Sequence, residues 1–181
     1  MRMKISPEPI AHSGHDLTDR ALPPTAVLAI AATSFCGLTS QARMSSPAIQ
    51  YSETRELPLE SVLALYRANE WSSADKPELL LPALRASHSL VTAWDGERLV
   101  GLGNAISDGS LVVYYPHLLV LPEYQGRGIG TRLMQLLMAR YAGFHQHMLV
   151  ADGRAIDFYR KCGFSRAGKT EPLWIYAGHE H

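Results

Sequence analysis

A glycine-rich segment between an apolar run and a long amphipathic stretch constrains the fold more than any other feature of this chain. The segment reads QGRGIG at residues 125–130, with glycine at every second position, and it follows a continuously apolar run at residues 110–121. Such a run predicts a central strand covered on both faces. Apolar residues at helical spacing from Gly128 to Tyr141 predict a helix directly after the glycines. The sequence therefore predicts a strand, a glycine loop and a helix N-terminus in direct succession.

A loop of this kind is suited to binding a phosphate group. The first N–H groups of a helix have no partners within the helix and carry the positive end of its dipole, so they attract anions. Glycines let an anion reach the backbone without meeting a Cβ atom, and Arg127 and Arg132 add positive charge. The loop matches neither the Walker motif nor the dinucleotide motif, in which Leu133 would have to be glycine. A phosphate-bearing ligand and a plain strand-to-helix connection both stay open on these residues alone.

The other elements are predicted from hydrophobic periodicity and turn residues. They form an α/β (α+β) fold, a mixed sheet flanked by helices. The predicted elements are a strand at 48–55, helices at 58–70 and 76–87 (the second interrupted or opened by Pro82), a hairpin at 89–107 with a type I′ turn at Asp95-Gly96, a strand at 147–151, a helix at 153–164 capped by Gly163, and a last strand at 173–177.

The composition argues against several classes of function. Lys plus Arg (17) equal Asp plus Glu (17), and no run of basic residues appears, so the sequence does not predict a nucleic-acid-binding protein. Cys36 and Cys162 lie far apart and match no metal-ligand spacing. We therefore predict no metal site and a reducing compartment, the cytoplasm.

The first 45 residues differ from the rest of the chain. They hold four prolines and an apolar run at 26–38 that is too short to span a bilayer, so no membrane segment is predicted. Three interpretations stay open: a disordered extension or one that precedes a true start at Met44, a short helix docked on the domain, and a targeting segment. We predict an N-terminal extension at 1–45 and one domain at 46–181.

Two motifs resemble those of the GNAT superfamily of acetyl-CoA-dependent N-acetyltransferases. The segment LLVLPEYQGRGIGTRLM resembles the family's motif A, Q/R-x-x-G-x-G/A, and ADGRAIDFYRKCGF resembles its second cofactor motif. The resemblance implies the GNAT fold, in which a mostly antiparallel sheet is splayed at the cofactor-binding strand, and acetyl-CoA as cosubstrate. Both motifs are most similar to the plant-type serotonin N-acetyltransferases and their bacterial relatives, which implies a small primary amine, such as an arylalkylamine, as acceptor.

The resemblance also implies a role for individual residues. Tyr159 matches the tyrosine that donates a proton to the departing thiolate of coenzyme A. The resemblance implies that Tyr159 also contacts the cofactor. Asp152 stands where the family often has asparagine, which contacts the cofactor or caps the next helix. The backbone of the strand before the loop would bind the pantetheine arm, and the loop would bind the pyrophosphate; the residues concerned are Leu118, Leu119, Val120, Gln125, Gly126, Arg127, Gly128, Ile129, Gly130 and Thr131.

The group that deprotonates the amine is less well defined. His147 and His117 are the candidate bases, Glu70 and Asp108 lie at predicted loop ends, and a chain of water molecules is an alternative to any single base. Two other functions stay open: a non-catalytic acyl-CoA sensor or regulatory module, and an acetyltransferase acting on a protein or peptide amine. Dimers are common in the superfamily, so a homodimer is also an expectation.

Overall fold

The computed structural model describes residues 48–173 and Ile175. Six strands and four α-helices lie in this part of the chain, with short 3-10 helices at Ser72–Asp75 and Pro122–Tyr124. In chain order the elements are β1 (Gln50–Ser52), α1 (Leu59–Ala68), α2 (Pro77–Ala86), β2 (Ser89–Asp95), β3 (Arg98–Ser107), β4 (Val112–Tyr114), β5 (Leu118–Val120), α3 (Ile129–Ala139), β6 (Gln146–Met148) and α4 (Ala155–Lys161).

The strands form one mixed sheet, which confirms the predicted fold class. Its order is β1-β2-β3-β4-β6, and β5 pairs with β3 beside β4. All of the pairings are antiparallel except that of β4 with β6. The long strand β3 therefore supports two short strands in succession, β4 at its end and β5 nearer its middle.

The sheet opens where β4 gives way to β5. β6 runs beside β4, with Tyr114 opposite Met148, and the last hydrogen bond between them joins the Tyr115 N–H to the Met148 carbonyl at 2.9 Å. Beyond this point β5 pairs with β3 alone among the described strands. The single strand predicted at 110–121 is therefore wrong, because the chain breaks at residues 115–117, where Pro116 has no N–H to continue the ladder. The predicted splay is present.

Helix α3 packs on one face of the sheet through Leu133, Met134 and Leu137, which are fully buried. Gly103 of β3 permits this close approach, because a Cβ atom there would lie 2.9 Å from Leu137 Cδ1. Successive side chains of a strand point to opposite faces, so Asn104 of β3 faces away from α3. Helix α1 also packs on β3.

Two local predictions differ from the structure in detail. The β2–β3 hairpin is confirmed, but its two-residue turn is Gly96-Glu97, and Gly96 alone has a positive φ (+59°), as at the first central position of a type II′ turn. Helix α2 begins at Pro77 and runs through Pro82 without a break. Pro82 has no N–H to donate to the Glu78 carbonyl. Both residues are exposed, so water can bond to that carbonyl instead.

The strand predicted at 173–177 is wrong at the positions that the structure describes. Leu173 and Ile175 lie outside any strand, Leu173 is 93% exposed, and Ile175 is fully exposed. The segment after α4 turns instead at Gly168 (φ +61°). The other residues of this prediction, and the whole N-terminal extension, lie outside the described residues. Over the described range, no helix is long and apolar enough to cross a membrane.

Candidate active site

The glycine loop presents free backbone N–H groups at the start of α3. Gly126 (φ +75°) and Gly128 (φ +82°) adopt left-handed conformations, and Gly128 is the N-cap residue, with no side chain capping the helix. The first hydrogen bond of the helix runs from the Arg132 N–H to the Gly128 carbonyl at 3.0 Å. The N–H groups of residues 129–131 therefore precede the helical hydrogen-bond ladder, and an anion can accept from them.

The third glycine of the loop has a different role from the first two. Gly130 lies within the first turn of α3, where its φ is negative. A Cβ atom at this position would lie 3.5 Å from the ring of Phe158 on α4 and 3.7 Å from Val120 Cγ2 on β5. Gly130 therefore sits where α3, α4 and β5 approach one another, at the base of the opening in the sheet.

Tyr124 holds the loop arginine in place, a contact that the sequence motifs do not reveal. The Arg127 guanidinium carbon lies 4.8 Å from the centroid of the Tyr124 ring, and the Tyr124 hydroxyl donates a 2.7 Å hydrogen bond to Asp95 on the β2–β3 hairpin. The Gln125 side chain donates a 3.1 Å hydrogen bond to the Val120 carbonyl. Both contacts organise the loop against the sheet.

The β5 backbone is only half available to a ligand. The Asn104 N–H donates to the His117 carbonyl and the Leu121 N–H donates to the Val100 carbonyl, so alternate residues from 117 to 121 bond to β3. By this alternation the backbone of Leu119 also faces β3, and that of Leu118 and Val120 faces the opening. Of the three residues predicted to bind pantetheine through their backbone, the geometry suits Leu118 and the N–H group of Val120, whose carbonyl accepts from Gln125, and does not suit Leu119.

Tyr159 is held on α4 as a protonated phenol. The ring is half-buried and lies edge-on to Phe158 and Phe164, at centroid distances of 5.0 and 6.0 Å. The pKa of Tyr159 is raised to about 12, foremost by burial and to a smaller extent by Cys162 and Tyr114. Its side chain has no hydrogen bond to any other residue in the described part of the chain. The hydroxyl is therefore a proton-bearing donor available to a ligand.

The structure does not bring the two candidate histidines together. His117 Nδ1 lies 2.6 Å from the Tyr66 hydroxyl of α1, and burial lowers the pKa of His117 to about 4. His147 Nδ1 lies 2.8 Å from the hydroxyl of Tyr115, which packs against Tyr141 at the end of α3. His117 is thus a neutral imidazole beside the opening, and His147 belongs to a separate cluster.

The three carboxylates considered from the sequence are exposed. Asp108 Oδ1 accepts hydrogen bonds from the N–H groups of residues 110–112, and the Leu111 bond is the foremost cause of its lowered pKa. Glu70 has a left-handed backbone (φ +59°) just after α1. Asp152 does not cap α4 with its side chain; its carbonyl accepts from the Ala155 N–H at 3.0 Å. Asp108 and Glu70 therefore occupy turns, and the expected side-chain cap is absent at Asp152.

A cleft of about 450 Å³ lies beside His117, between the end of α2, the end of β3 and the β4–β5 break. Asn104 forms its floor, and is 4% exposed; its side-chain amide donates to Ser87 Oγ at 2.8 Å and accepts from the His117 N–H at 3.2 Å. Sequence reasoning missed Asn104 and Ser87. A polar amide inside an otherwise apolar strand was the available signal, since buried polar groups need partners.

The residues of this candidate site lie within a segment that matches a protein-family model. The acetyltransferase (GNAT) family model matches residues 54–164, which include the glycine loop and Tyr159. The chain belongs to the GNAT family. A GNAT protein from Streptococcus pneumoniae, SP0256, is similar in structure, with a TM-score of 0.63, 33% identity, and coverage of 71% of this chain and 98% of that chain.

Curated relatives of this GNAT chain match over a shorter range. A protein of Arabidopsis thaliana named GCN5-related N-acetyltransferase 2, chloroplastic, is 37% identical over 39% of this chain and 30% of its own length. A Glycine max protein named histone acetyltransferase TAP1 is 34% identical over 46% of this chain and 37% of its own length. The match thus spans about a third of each relative. The similarity to the serotonin N-acetyltransferase branch, the cytoplasmic location and the homodimer stay predictions.

Among residues 48–173 and Ile175, no three His, Cys, Asp or Glu side chains are grouped so that they could hold a metal ion. The GNAT family uses acetyl-CoA as its acetyl donor, and the free N–H groups at the α3 N-terminus and along β5 fit the phosphate and amide groups of that cosubstrate.

Proposed function

We propose that this GNAT protein transfers the acetyl group of acetyl-CoA to the amine of a small molecule by direct attack. The observation that carries the proposal is the opening between β5 and β6, beside which α3 and α4 approach each other at Gly130 and Phe158, the neighbour of Tyr159. The amine nitrogen forms a bond to the acetyl carbon, and the bond from that carbon to sulfur breaks. The nitrogen gives up one proton and the sulfur gains one, so the step is balanced without a further reactant.

The loop and β5 would hold acetyl-CoA in one direction. The N–H groups from Gly126 to Thr131 would bind the pyrophosphate, and the backbone of Leu118 and Val120 would bond to the pantetheine arm as an added strand would. The thioester would then lie at the opposite end of β5 from the loop, beside Pro116 and His117. This is the end at which the 450 Å³ cleft opens.

Tyr159 would act on the departing sulfur. An ordinary thiol has a pKa of about 8.5, and burial raises the pKa of Tyr159 to about 12, so the phenol keeps its proton at neutral pH. Tyr159 therefore stabilises the thiolate mainly through a donated hydrogen bond as the tetrahedral intermediate collapses. His117 is the favoured acceptor for the proton that the nitrogen loses, because it lines the cleft, whereas His147 bonds to the buried Tyr115.

Replacing Tyr159 by phenylalanine tests this assignment. We expect Tyr159→Phe to lower kcat by about 100-fold, because the hydrogen bond to the thiolate is lost. The Kd for acetyl-CoA should stay within about twofold, because the aromatic ring is kept. Thiol release with a panel of primary amines gives kcat, and isothermal titration gives Kd. Tyr51→Phe removes a hydroxyl on β1 and is the matched control.

The outcomes separate catalysis from the alternatives. Equal losses of kcat and of acetyl-CoA affinity would place Tyr159 in cofactor binding. Micromolar acetyl-CoA binding without thiol release from any amine or peptide would favour the acyl-CoA sensor. No binding at all would contradict the proposed cofactor.

A protein amine is the second candidate acceptor, because one relative is named a histone acetyltransferase. A lysine-containing peptide series in the same thiol-release assay tests it. If the peptides have a higher kcat/KM than every small amine in the panel, the acceptor is a protein.

A further inference from the structure

The 450 Å³ cleft has walls of mixed character with no negative charge. Its apolar surface comes from Ile106, Pro116 and two alanines of α2, and its polar groups are hydroxyls, an amide and the imidazoles of His88 and His117. No carboxylate is among these lining residues. A ligand in the cleft is therefore met by apolar surface and by polar groups that are not anionic.

The polar groups of the cleft are largely occupied by one another. Asn104 bonds to Ser87 and to the His117 backbone, His117 Nδ1 to Tyr66, and His88 Nδ1 to the Tyr141 hydroxyl at 2.8 Å. The remaining ring nitrogens of the two histidines are the groups left for a ligand. The site thus offers few hydrogen bonds, and none from an anionic group.

Two guanidinium groups lie at the α2 end of the cleft, and one carboxylate, Asp108, lies next to Ser107 at its β3 end. The Arg55 guanidinium donates hydrogen bonds to the carbonyl groups of Arg85 and His88 at the end of α2. The Arg85 guanidinium in turn donates to the carbonyl of Arg55 at 3.2 Å. Asp108, the nearest carboxylate along the chain, is exposed and accepts three N–H groups of its own turn. The two guanidinium groups therefore disfavour a cation at this end of α2.

A second cleft contains carboxylates but lies at the loop end of β5, away from the expected position of the thioester. It measures about 370 Å³ and includes Leu121, Glu60 and Glu123, of which Glu123 forms a salt bridge to Arg98 in the same lining. Leu121 is four residues from His117, about 13 Å along an extended strand, and it lies at the loop end of β5. An ammonium group would be better paired there, but the thioester would lie at the other end.

We propose that the cleft beside His117 is the acceptor site, and that it selects a primary amine that is uncharged when it binds: a weakly basic amine on an apolar or aromatic body. The inference rests on the proposed acetyltransferase function and narrows its substrate class. Transfer of an ammonium group into a site without a counterion is unfavourable, and the exposure of Ile106 and His88 reduces this penalty without removing it. An uncharged amine on an apolar body avoids this penalty and gains from contact with the apolar wall.

The properties of His117 agree with an uncharged acceptor. Its ring lies against Tyr66 and Trp71, and its backbone bonds to Asn104, none of which is charged. Burial lowers the pKa of His117 to about 4, so it is too weak a base to deprotonate an alkylammonium ion with a pKa of about 10. It can accept the proton that a neutral amine gives up after attack, when the nitrogen has become strongly acidic.

A pair of isomeric amines tests the proposal. 4-Methylaniline and benzylamine have the same atoms and nearly the same shape, but only benzylamine is a cation at neutral pH. The measurement is kcat/KM for each amine with the full-length protein. Ile106→Asp places a carboxylate in the cleft wall, and we expect it to raise the ratio of benzylamine to 4-methylaniline at least about tenfold. Leu79→Asp adds the same charge on an exposed position of α2 outside the cleft, and should leave the ratio within about twofold.

The outcomes of this test distinguish failure of the acceptor-site proposal from failure of the acetyltransferase function. An unchanged ratio in Ile106→Asp, with both amines still acetylated, overturns the acceptor-site proposal and leaves the acetyltransferase function intact. Equal shifts in Ile106→Asp and Leu79→Asp also overturn it, since the effect would then not come from the cleft. If Ile106→Asp does not fold, Ser107→Asp at the rim of the cleft provides the same comparison. Absence of acetyl-CoA binding in the wild type would overturn the proposed function and this inference with it.

Discussion

At the scale of the residue, the three glycines of the loop differ in what their backbones require. Gly128 has a φ of +82°, which an L residue adopts at a cost of roughly 1–2 kcal/mol. Gly130 is helical, and a Cβ atom there would make ordinary contacts with Phe158 and Val120. The regular spacing in the sequence therefore conceals two kinds of position.

Alanine substitutions at these two positions should have opposite effects on stability. We expect Gly128→Ala to lower the free energy of unfolding by about 1 kcal/mol, because of backbone strain. Gly130→Ala should leave it unchanged or raise it by up to about 1 kcal/mol, because alanine is the better helix former. Urea denaturation measures both. Equal destabilisation by the two substitutions would contradict the distinction.

At the scale of the element, His117 links β5 to α1 through Tyr66, and this contact should appear in the pH dependence of stability. Burial lowers the pKa of His117 from an ordinary 6.5 to about 4. The unfolded chain therefore binds a proton between these pH values that the folded chain does not bind. The stability that depends on uncharged His117 is fully present above pH 6.5 and is lost as the pH falls toward 4. The free energy of unfolding should fall by about 3 kcal/mol in all over this range.

The variant His117→Gln isolates this contribution. The difference between the unfolding free energies at pH 7 and pH 4.5 should be smaller in His117→Gln than in the wild type by about 2 to 3 kcal/mol. Urea titrations of both proteins at the two pH values give the comparison. Parallel pH dependences of the two proteins would show that His117 is protonated in the folded state as readily as in the unfolded chain.

The sequence predicted elements whose signals are local, and failed where a distant partner decides. The β2–β3 hairpin and α3 follow from Gly96 and from helical periodicity, and Gly163 (φ +97°) caps α4 as predicted. The break at residues 115–117 has one local signal, Pro116, but the division of β3 between two partner strands depends on distant pairing. The partners of His117 were likewise hidden, because Tyr66 is 51 residues away in the chain.

At the scale of the whole molecule, the opening of the sheet should make alternate N–H groups of β5 behave differently. Leu119 bonds to β3, and Leu118 and Val120 face the opening. We expect the Leu118 and Val120 amides to exchange with solvent faster than the Leu119 amide in the free protein. Acetyl-CoA should slow their exchange at least about tenfold, because its pantetheine arm would accept from them. Exchange followed by nuclear magnetic resonance resolves the three amides.

Adenosine 3′,5′-bisphosphate separates the two parts of the cofactor site, because it keeps the phosphates near the adenosine and lacks the pantetheine arm. It should leave the Leu118 and Val120 amides fast even at saturation, whereas acetyl-CoA slows them. Slow exchange at these two amides with both ligands would mean that binding closes the sheet indirectly, without an added strand. Slow exchange at Ile129–Thr131 alone with acetyl-CoA would confine the cofactor to the loop and leave the opening between β5 and β6 without its proposed occupant. The alternation along three consecutive amides is therefore a direct measure of whether the cofactor completes the sheet.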